Sequence, residues 1–247
     1  MAGIKKTLLE IVQDILSVMD SEPVNALSDT NEAEQIAEVV ESVFYDIVTN
    51  RDIPEHYSLI KLTALSDSTK PTHFHLPENV KIISKVWYDK SDDNSFEYAE
   101  VYYLEPDDFL SRSDKVQGSY QNVLDVEAGT NLRIPNDKDP EYYTTFDDYH
   151  IVMNSFASTK DATLQQSKVR AMGSTFPVFD RYDGSYTPDL DGNMFPYLIN
   201  EAKSRAMDIF KGGTSQKVEQ AARRSKVHSR NDMNRLNYPN VRNDYGR

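Results

Sequence analysis

His73-Phe74-His75 is the stretch of this sequence with the clearest chemical potential. Residues two apart on a strand face the same side, so two imidazoles at this spacing suit a shared metal ion. Such a site also needs a third ligand and a hydrogen-bonding partner behind each ring. His56 and His150 stand at no ligand spacing, and KPTHFHLPENV reads as strand entry flanked by prolines. The ligand set is incomplete, so no metal and no cofactor are expected. A metal-binding regulatory or enzymatic DNA-associated protein using His73 and His75 is the alternative reading. Asp189-Leu190-Asp191-Gly192-Asn193 opens like a calcium loop, but the later oxygens fail and position twelve is Asn200 instead of glutamate. Asp191 or Asn193 is expected to cap the next helix instead.

Catalysis finds little else to use. The acidic pairs Asp92-Asp93, Asp107-Asp108 and Asp147-Asp148 occur among 40 acidic residues, so adjacency alone says nothing. Neighbours on a strand also point to opposite faces. There is no nucleophile elbow and no glycine-rich phosphate loop, and nine glycines are sparse for phosphate-binding turns. The absence of cysteine excludes thiolate metal sites, disulfides and cysteine nucleophiles. The sequence therefore predicts a protein that is not an enzyme.

Its charge is unevenly spread. The net charge is −13, yet Arg223 to Arg247 holds seven basic and two acidic residues, or +5. The remainder, with 20 basic and 38 acidic residues, is −18. An acidic body repels nucleic acid, and a basic appendage on it reaches for something acidic, often another protein. Within that tail asparagine recurs every third position at Asn231, Asn234, Asn237, Asn240 and Asn243, interleaved with Arg230, Arg235 and Arg242. In polyproline II form, with three residues per turn, all five asparagines would line one face. The asparagines would bond a partner's backbone while the arginines pair with its carboxylates. Arg223, Arg224, Tyr238, Tyr245 and Arg247 complete the candidate partner-binding set.

The elements that must carry these residues show in the hydrophobic pattern. Ile4, Leu8, Ile11, Ile15 and Met19 form one helical stripe, interrupted by Glu10, Gln13 and Asp14 and therefore read as a helix and not a signal peptide. A second helix is expected from Asp29, with Glu32 as its capping-box partner, to about Arg51. Ala33, Ile36, Ala37, Val40, Val43, Phe44, Ile47 and Val48 give it a wide apolar face. YSLIKLTAL, VKIISKVWYD, FEYAEVYYLE, NLRIPN, DDYHIVMNSF and LQQSKVRAMG read as strands, with EPDDFLSRS as a brief helical turn between them. Phe195, Leu198, Ile199, Ala202, Ala206 and Ile209 mark a late helix broken at Gly212-Gly213, and SQKVEQAARRSKVHS continues as a further helical piece. No stretch approaches a membrane span. The expected fold is α+β: a helical bundle made by an N-terminal αα-hairpin (1–54) and a C-terminal helix (189–214), an inserted antiparallel β-rich domain (55–188), and an extended basic arm (215–247).

This order of parts resembles the head-to-tail adaptors of short-tailed bacteriophages, the tail tubular protein A or gatekeeper family. The likeness rests on TLLEIVQDILSVMDSEPVNALSDTNEAEQIAEVVESVFYDIVTNRDIP, KPTHFHLPENV, YLEPDDFLSRS, PEYYTTFDDYHIVMNSF, TPDLDGNMFPYLINEAKSRA and the basic tail. It implies a structural part of the virion, assembled in the host cytoplasm, that forms a dodecameric ring between the portal and the tail nozzle. Helices 4–20, 30–51 and 194–211 would build the ring and residues 215–247 would grip the portal. The ring would extend the DNA channel without sequence-specific binding and offer a dock to the nozzle and sometimes to fibres.

Overall fold

The computed structural model describes residues 5–51, 53–91, 97–127, 129–213 and 216–237, with Pro54 and residues 228–237 described by their backbone alone. The protein is α+β, with α1 (Leu8–Val18), α2 (Asn31–Asn50), α3 (Pro106–Asp114), α4 (Phe195–Lys211) and α5 (Gln216–Asn237). It divides into two compact units. One is drawn from Met1–Glu55 and Pro177–Arg247, the other from His56–Phe176.

The helical unit is organised by its caps and one buried stripe. Thr7 and Glu10 close a capping box on α1, the Thr7 N–H donating to Glu10 Oε2 at 2.9 Å and the Glu10 N–H to Thr7 Oγ1 at 3.3 Å. The N–H groups of Leu8 and Leu9, orphans of the first turn, donate to the carbonyls of Tyr186 and Gly184 at 2.7 and 3.1 Å. Residues 177–188 thus belong to the helices, not to the expected β insertion. Phe179 explains this further: its ring lies 5.0 Å from that of Phe44 and 4.9 Å from that of Tyr186, and its N–H donates to Tyr45 Oη. Helix α2 is capped by Thr30, which accepts from the Ala33 N–H at 3.1 Å, and not by Asp29. The Asp29 carboxylate instead accepts from the Asn25 and Ala26 N–H groups, and Glu32 accepts from Ser21 Oγ. A carboxylate closing the preceding 3-10 turn is not free to cap, so the cap moves one residue on. The apolar stripe of α2 is buried throughout, with Ile36 and Val40 fully covered. α1, α2 and α4 pack on one another, and Arg205 of α4 ties Asp46 of α2 at 2.6 Å.

The β unit contains β1 (Tyr57–Ile60), β2 (Thr63–Ala64), β3 (His73–His75), β4 (Val80–Asp89), β5 (Tyr98–Tyr103), β6 (Tyr120–Leu124), β7 (Asn131–Pro135), β8 (Tyr142–Thr144), β9 (His150–Met153) and β10 (Val169–Thr175). Eight of them form one sheet in the order β1-β10-β4-β5-β8-β9-β3-β2, and β6 pairs with β7 alone. The two ends of that sheet, β1 and β2, are separated in the chain only by Lys61 and Leu62. The three Cα steps from Ile60 to Thr63 span at most about 11 Å, so the sheet must curl until its edges come together. Phe74, Val86, Val101, Leu132, Ile134, Ile151, Val152 and Met153 form the core of this unit.

The sheet is not wholly antiparallel as expected. β5 and β8 run parallel, Tyr102 opposite Tyr142 and Tyr103 opposite Tyr143. The intervening α3 and β6–β7 hairpin supply the long crossover that parallel neighbours require. β4 pairs with β10 from end to end but with β5 only from Val86 to Asp89. Two register shifts in the β4–β10 ladder fall in the half that β5 abandons, as expected of bulges that bend a strand. Gly173 stands at the first shift, where a Cβ would lie 2.0 Å from the Ile82 carbonyl oxygen and 2.8 Å from Ile60 Cδ1.

Two stability outcomes follow. Ile36→Asp or Val40→Asp should destabilise the protein by about 3–5 kcal/mol in denaturant titration, the cost of a buried unpaired charge. Gly173→Ala should cost about 1–3 kcal/mol, since a backbone oxygen must move; an unshifted melting curve would mean the strands are not this close.

Candidate functional site

The candidate partner-binding residues begin on α5. Gly212 takes a left-handed conformation (φ 68°) that ends α4, as a glycine after a helix commonly does. The chain then resumes as a 22-residue helix to Asn237, so the helical piece expected over SQKVEQAARRSKVHS runs on into residues expected to be extended. Gln, Lys, Glu, Ala and Arg dominate the first half of α5 and favour helix. Glu219 and Arg223 add an i,i+4 ion pair at 2.6 Å. Ala222 is buried, α5 packs on α4, and Asn200 Nδ2 donates to Ser225 Oγ at 2.9 Å. Arg224 and Lys226 are exposed, and Val227 is 58% exposed between basic neighbours.

This revises the period-three reading. Arg230, Asn231, Asn234, Arg235 and Asn237 lie on α-helical backbone, so polyproline II geometry does not apply to them. Spacings of three still keep Asn231, Asn234 and Asn237 on one helix face, within an arc of about 120°. Tyr238, Asn240, Arg242, Asn243, Tyr245 and Arg247 lie outside the described residues.

The histidines take separate partners. His73 is buried, and its Nε2 lies 3.4 Å from Asp125 Oδ1, itself buried. The Nε2–H tautomer donates to that carboxylate and leaves Nδ1 as a lone pair, the cheaper group to bury without a partner. Burial is the largest influence on His73 and pulls its pKa below the ordinary value, against the opposing pull of Asp125. His75 is exposed and faces His150 across the β3–β9 ladder, ring centroids 5.5 Å apart. His150 Nδ1 lies 2.8 Å from Asp147 Oδ2. Burial works against the Asp147 carboxylate, but that contact and the N–H groups of Tyr149 and His150 outweigh it and lower its pKa. Among the described residues no group of three His, Cys, Asp or Glu is placed to hold a metal ion.

The cap expected from Asp191 or Asn193 is also absent. A 3-10 turn over Gly192–Met194 precedes α4, Asp191 makes no side-chain cap bond, and Pro196 in the first turn of α4 removes a donor that would need one.

Two concavities of the β unit carried no sequence motif. Where β5 leaves β4, an open groove of 880 Å³ is lined by the exposed Ile82, Tyr102, Tyr103 and Tyr149. Tyr143 lies beneath it; burial first, then Tyr103, push its phenol up to about 12, so it remains a neutral donor. The second, of 340 Å³, lies between α3, β7 and β8 and gathers Arg112, Lys115, Arg133 and Lys138. The only sequence signal for the groove is the clustering of tyrosines in FEYAEVYYLE and PEYYTTFDDY.

No protein-family model matches the chain, and no curated protein matches it. Among the described residues no helix is long and apolar enough to cross a membrane.

The His73 arrangement makes stability depend on pH. Its folded-state pKa is below the unfolded value of about 6.5, so the unfolded chain takes up the proton first and stability falls as pH drops through 6.5. Urea midpoints measured from pH 7.5 to 5.5 should decline, and His73→Gln should remove part of that slope.

Proposed function

We propose that this protein is a structural adaptor of a short-tailed bacteriophage, a ring subunit placed between portal and tail nozzle. The observation that carries the reading is the separation of charge onto one element. The chain holds −18 up to residue 222 and +5 from Arg223 onward, and the basic part begins on the exposed side of a helix that follows the helical unit. An appendage of opposite sign to its own body is built for another molecule, because attachment to the body would leave it no free charge to present.

Its support is the order of the elements together with the sequence likeness. A helical unit is assembled from both ends of the chain and a β unit is inserted between them, the plan that the resemblance implies. Helices α1, α2 and α4 form the ring-building bundle in this reading, and α5 with the residues after it is the portal-docking segment. Docking begins with a helix and not with an extended arm from residue 215. Twelve such segments on one ring act together, so each needs only modest affinity. A negative lumen lets DNA pass without holding it, which suits a channel. The inserted β unit is the part left to meet the nozzle or fibres.

Deletion of residues 230–247 tests the docking role. The truncated protein should fold with an unchanged circular-dichroism melting curve, while particles assembled with it should lose tails or leak genome. Averaged electron images of the particle vertex should show a twelve-fold ring of the full-length protein. Normal tailing by the truncated form would remove the docking role, and absence of the protein from the vertex would remove the adaptor reading altogether.

A further inference from the structure

We infer that the concavity between α3, β7 and β8 is a binding site for an acidic peptide segment that carries an apolar side chain beside its carboxylates. The β unit has twelve basic and nineteen acidic residues, net −7, yet a third of its cations border this single 340 Å³ hollow, with Glu141 as its one carboxylate. Elsewhere in the same unit Lys160 pairs with Asp139 at 3.1 Å and Lys168 with Asp161 at 2.5 Å, while Lys61, Lys85, Lys90 and Arg170 stand without an ion pair among the described residues but are not gathered round one hollow. Among the described residues none of Arg112, Lys115, Arg133 or Lys138 makes an ion pair. Four cations gathered round a single carboxylate bear a repulsion that an incoming anion relieves.

The arginines are also held ready. The Arg112 guanidinium lies over the Tyr142 ring at 4.6 Å, and Arg133 lies 5.6 Å from the Tyr120 centroid while its Nη1 donates to the Asp114 carbonyl. Stacking fixes the plane and leaves N–H edges for a carboxylate, whose two oxygens match the guanidinium fork. The Ser113 hydroxyl locks α3 to β7 beneath them, accepting from the Arg133 N–H at 2.8 Å and donating to its carbonyl at 3.2 Å.

Complementing the C-terminal dipole of α3 accounts for Arg112 and Lys115. It does not account for Arg133 on β7 or for Lys138 beyond it. The same helix end argues against phosphate: the carbonyls of Arg112 and Ser113 face the chain there, accepting from Lys115 and Val116 N–H groups, where phosphate sites offer free N–H donors. The floor of the hollow includes Leu104, Phe109 and Ile134, which take an apolar side chain and give nothing to an inorganic ion. A polynucleotide would further have to approach a unit of the same charge sign.

The test uses the full-length protein and a fluorescein-labelled EFEELE hexapeptide in fluorescence polarisation, with QFQQLQ, inorganic phosphate and a twelve-nucleotide single-stranded DNA as competitors. EFEELE should bind, QFQQLQ should bind at least tenfold more weakly, and neither phosphate nor DNA should displace the peptide at equal concentration. Arg112→Gln and Lys138→Gln should each weaken binding about two- to fivefold, as single partly exposed ion pairs do, and Lys61→Gln should not. Among the described residues Lys138 makes no side-chain hydrogen bond or ring contact, so its substitution reads the site even if Arg112→Gln unfolds the hairpin. Equal binding of QFQQLQ, displacement by phosphate or DNA, or full affinity in Lys138→Gln would overturn the proposal. Arg112→Gln and Lys138→Gln leave the basic α5 unaltered, so the affinity they remove reads this hollow apart from the segment that carries the adaptor reading.

Discussion

The pairing of Tyr57 with Ser174 is the contact on which the arrangement of this chain depends. It places the first and last strands of the β unit side by side, so the two ends of a segment of more than a hundred residues lie together. A helical core assembled from two distant stretches of chain can then form without spanning the insertion. The closure entropy of such a long loop grows only logarithmically with its length, and the four-residue β1–β10 ladder contributes to offsetting it. The same strand, continued through Lys61 and Leu62 into β2, forces the sheet to curl. One nearly continuous stretch, YSLIKLTA, therefore both ties the insertion shut and shapes its core.

Charge is organised with similar economy. Within each unit many exposed cations have nearby carboxylates: Arg181 with Glu38 and Glu41, Arg205 with Asp46 and Glu201, Lys168 with Asp161. Such surface pairs contribute little to stability, but they remove the cation from service elsewhere. Among the described residues Arg224 and Lys226 on α5 and the four cations of the hollow beside α3 make no such pair, and in each place they lie close together. A strongly acidic protein marks its interaction surfaces by where it withholds compensation.

Much of the helical unit was legible in the sequence because its periodicity is strong. The stripe on α2 is buried where the three-and-four spacing puts it, as is that on α1 from Leu8 to Met19; on α4 Phe195, Leu198, Ala202 and Ala206 are buried, Ile199 is half-buried and Ile209 is 65% exposed. VKIISKVWYD is β4 to the residue. What failed was decided by tertiary contacts. The strand at His73–His75 was legible, but β8, three residues long, is too short for any alternation to register, and YQNVL, although bounded by Gly118-Ser119 and Asp125, carries polar Gln121 and Asn122 in mid-run. The parallel β5–β8 contact depends on where the chain returns after α3, which no local pattern encodes. Residues 177–188 look like loop and were assigned to the β domain, yet Phe179 and the carbonyls of Gly184 and Tyr186 complete the helices. The sequence predicts a helix that gives way to an extended arm, because the asparagine punctuation from Asn231 outweighs the helix formers around it, whereas the helix runs on to Asn237. The basic hollow was illegible for a simpler reason. Its four cations come from a helix, a strand and a loop over 27 positions and share no spacing.

The bond between Asn200 and Ser225 fixes α4 and α5 as antiparallel neighbours, turning about Gly212 and Gly213. Followed along that register, Phe195 at the start of α4 comes level with Arg230. The last seven residues of α5 therefore run past the end of the helix that supports them, a cantilever of about 10 Å at 1.5 Å per residue. A helical backbone is already fixed in form before a partner arrives, whereas a loose peptide must take up its form on arrival. Much of the ordering entropy that a flexible arm would lose on binding is then already lost when the protein folds.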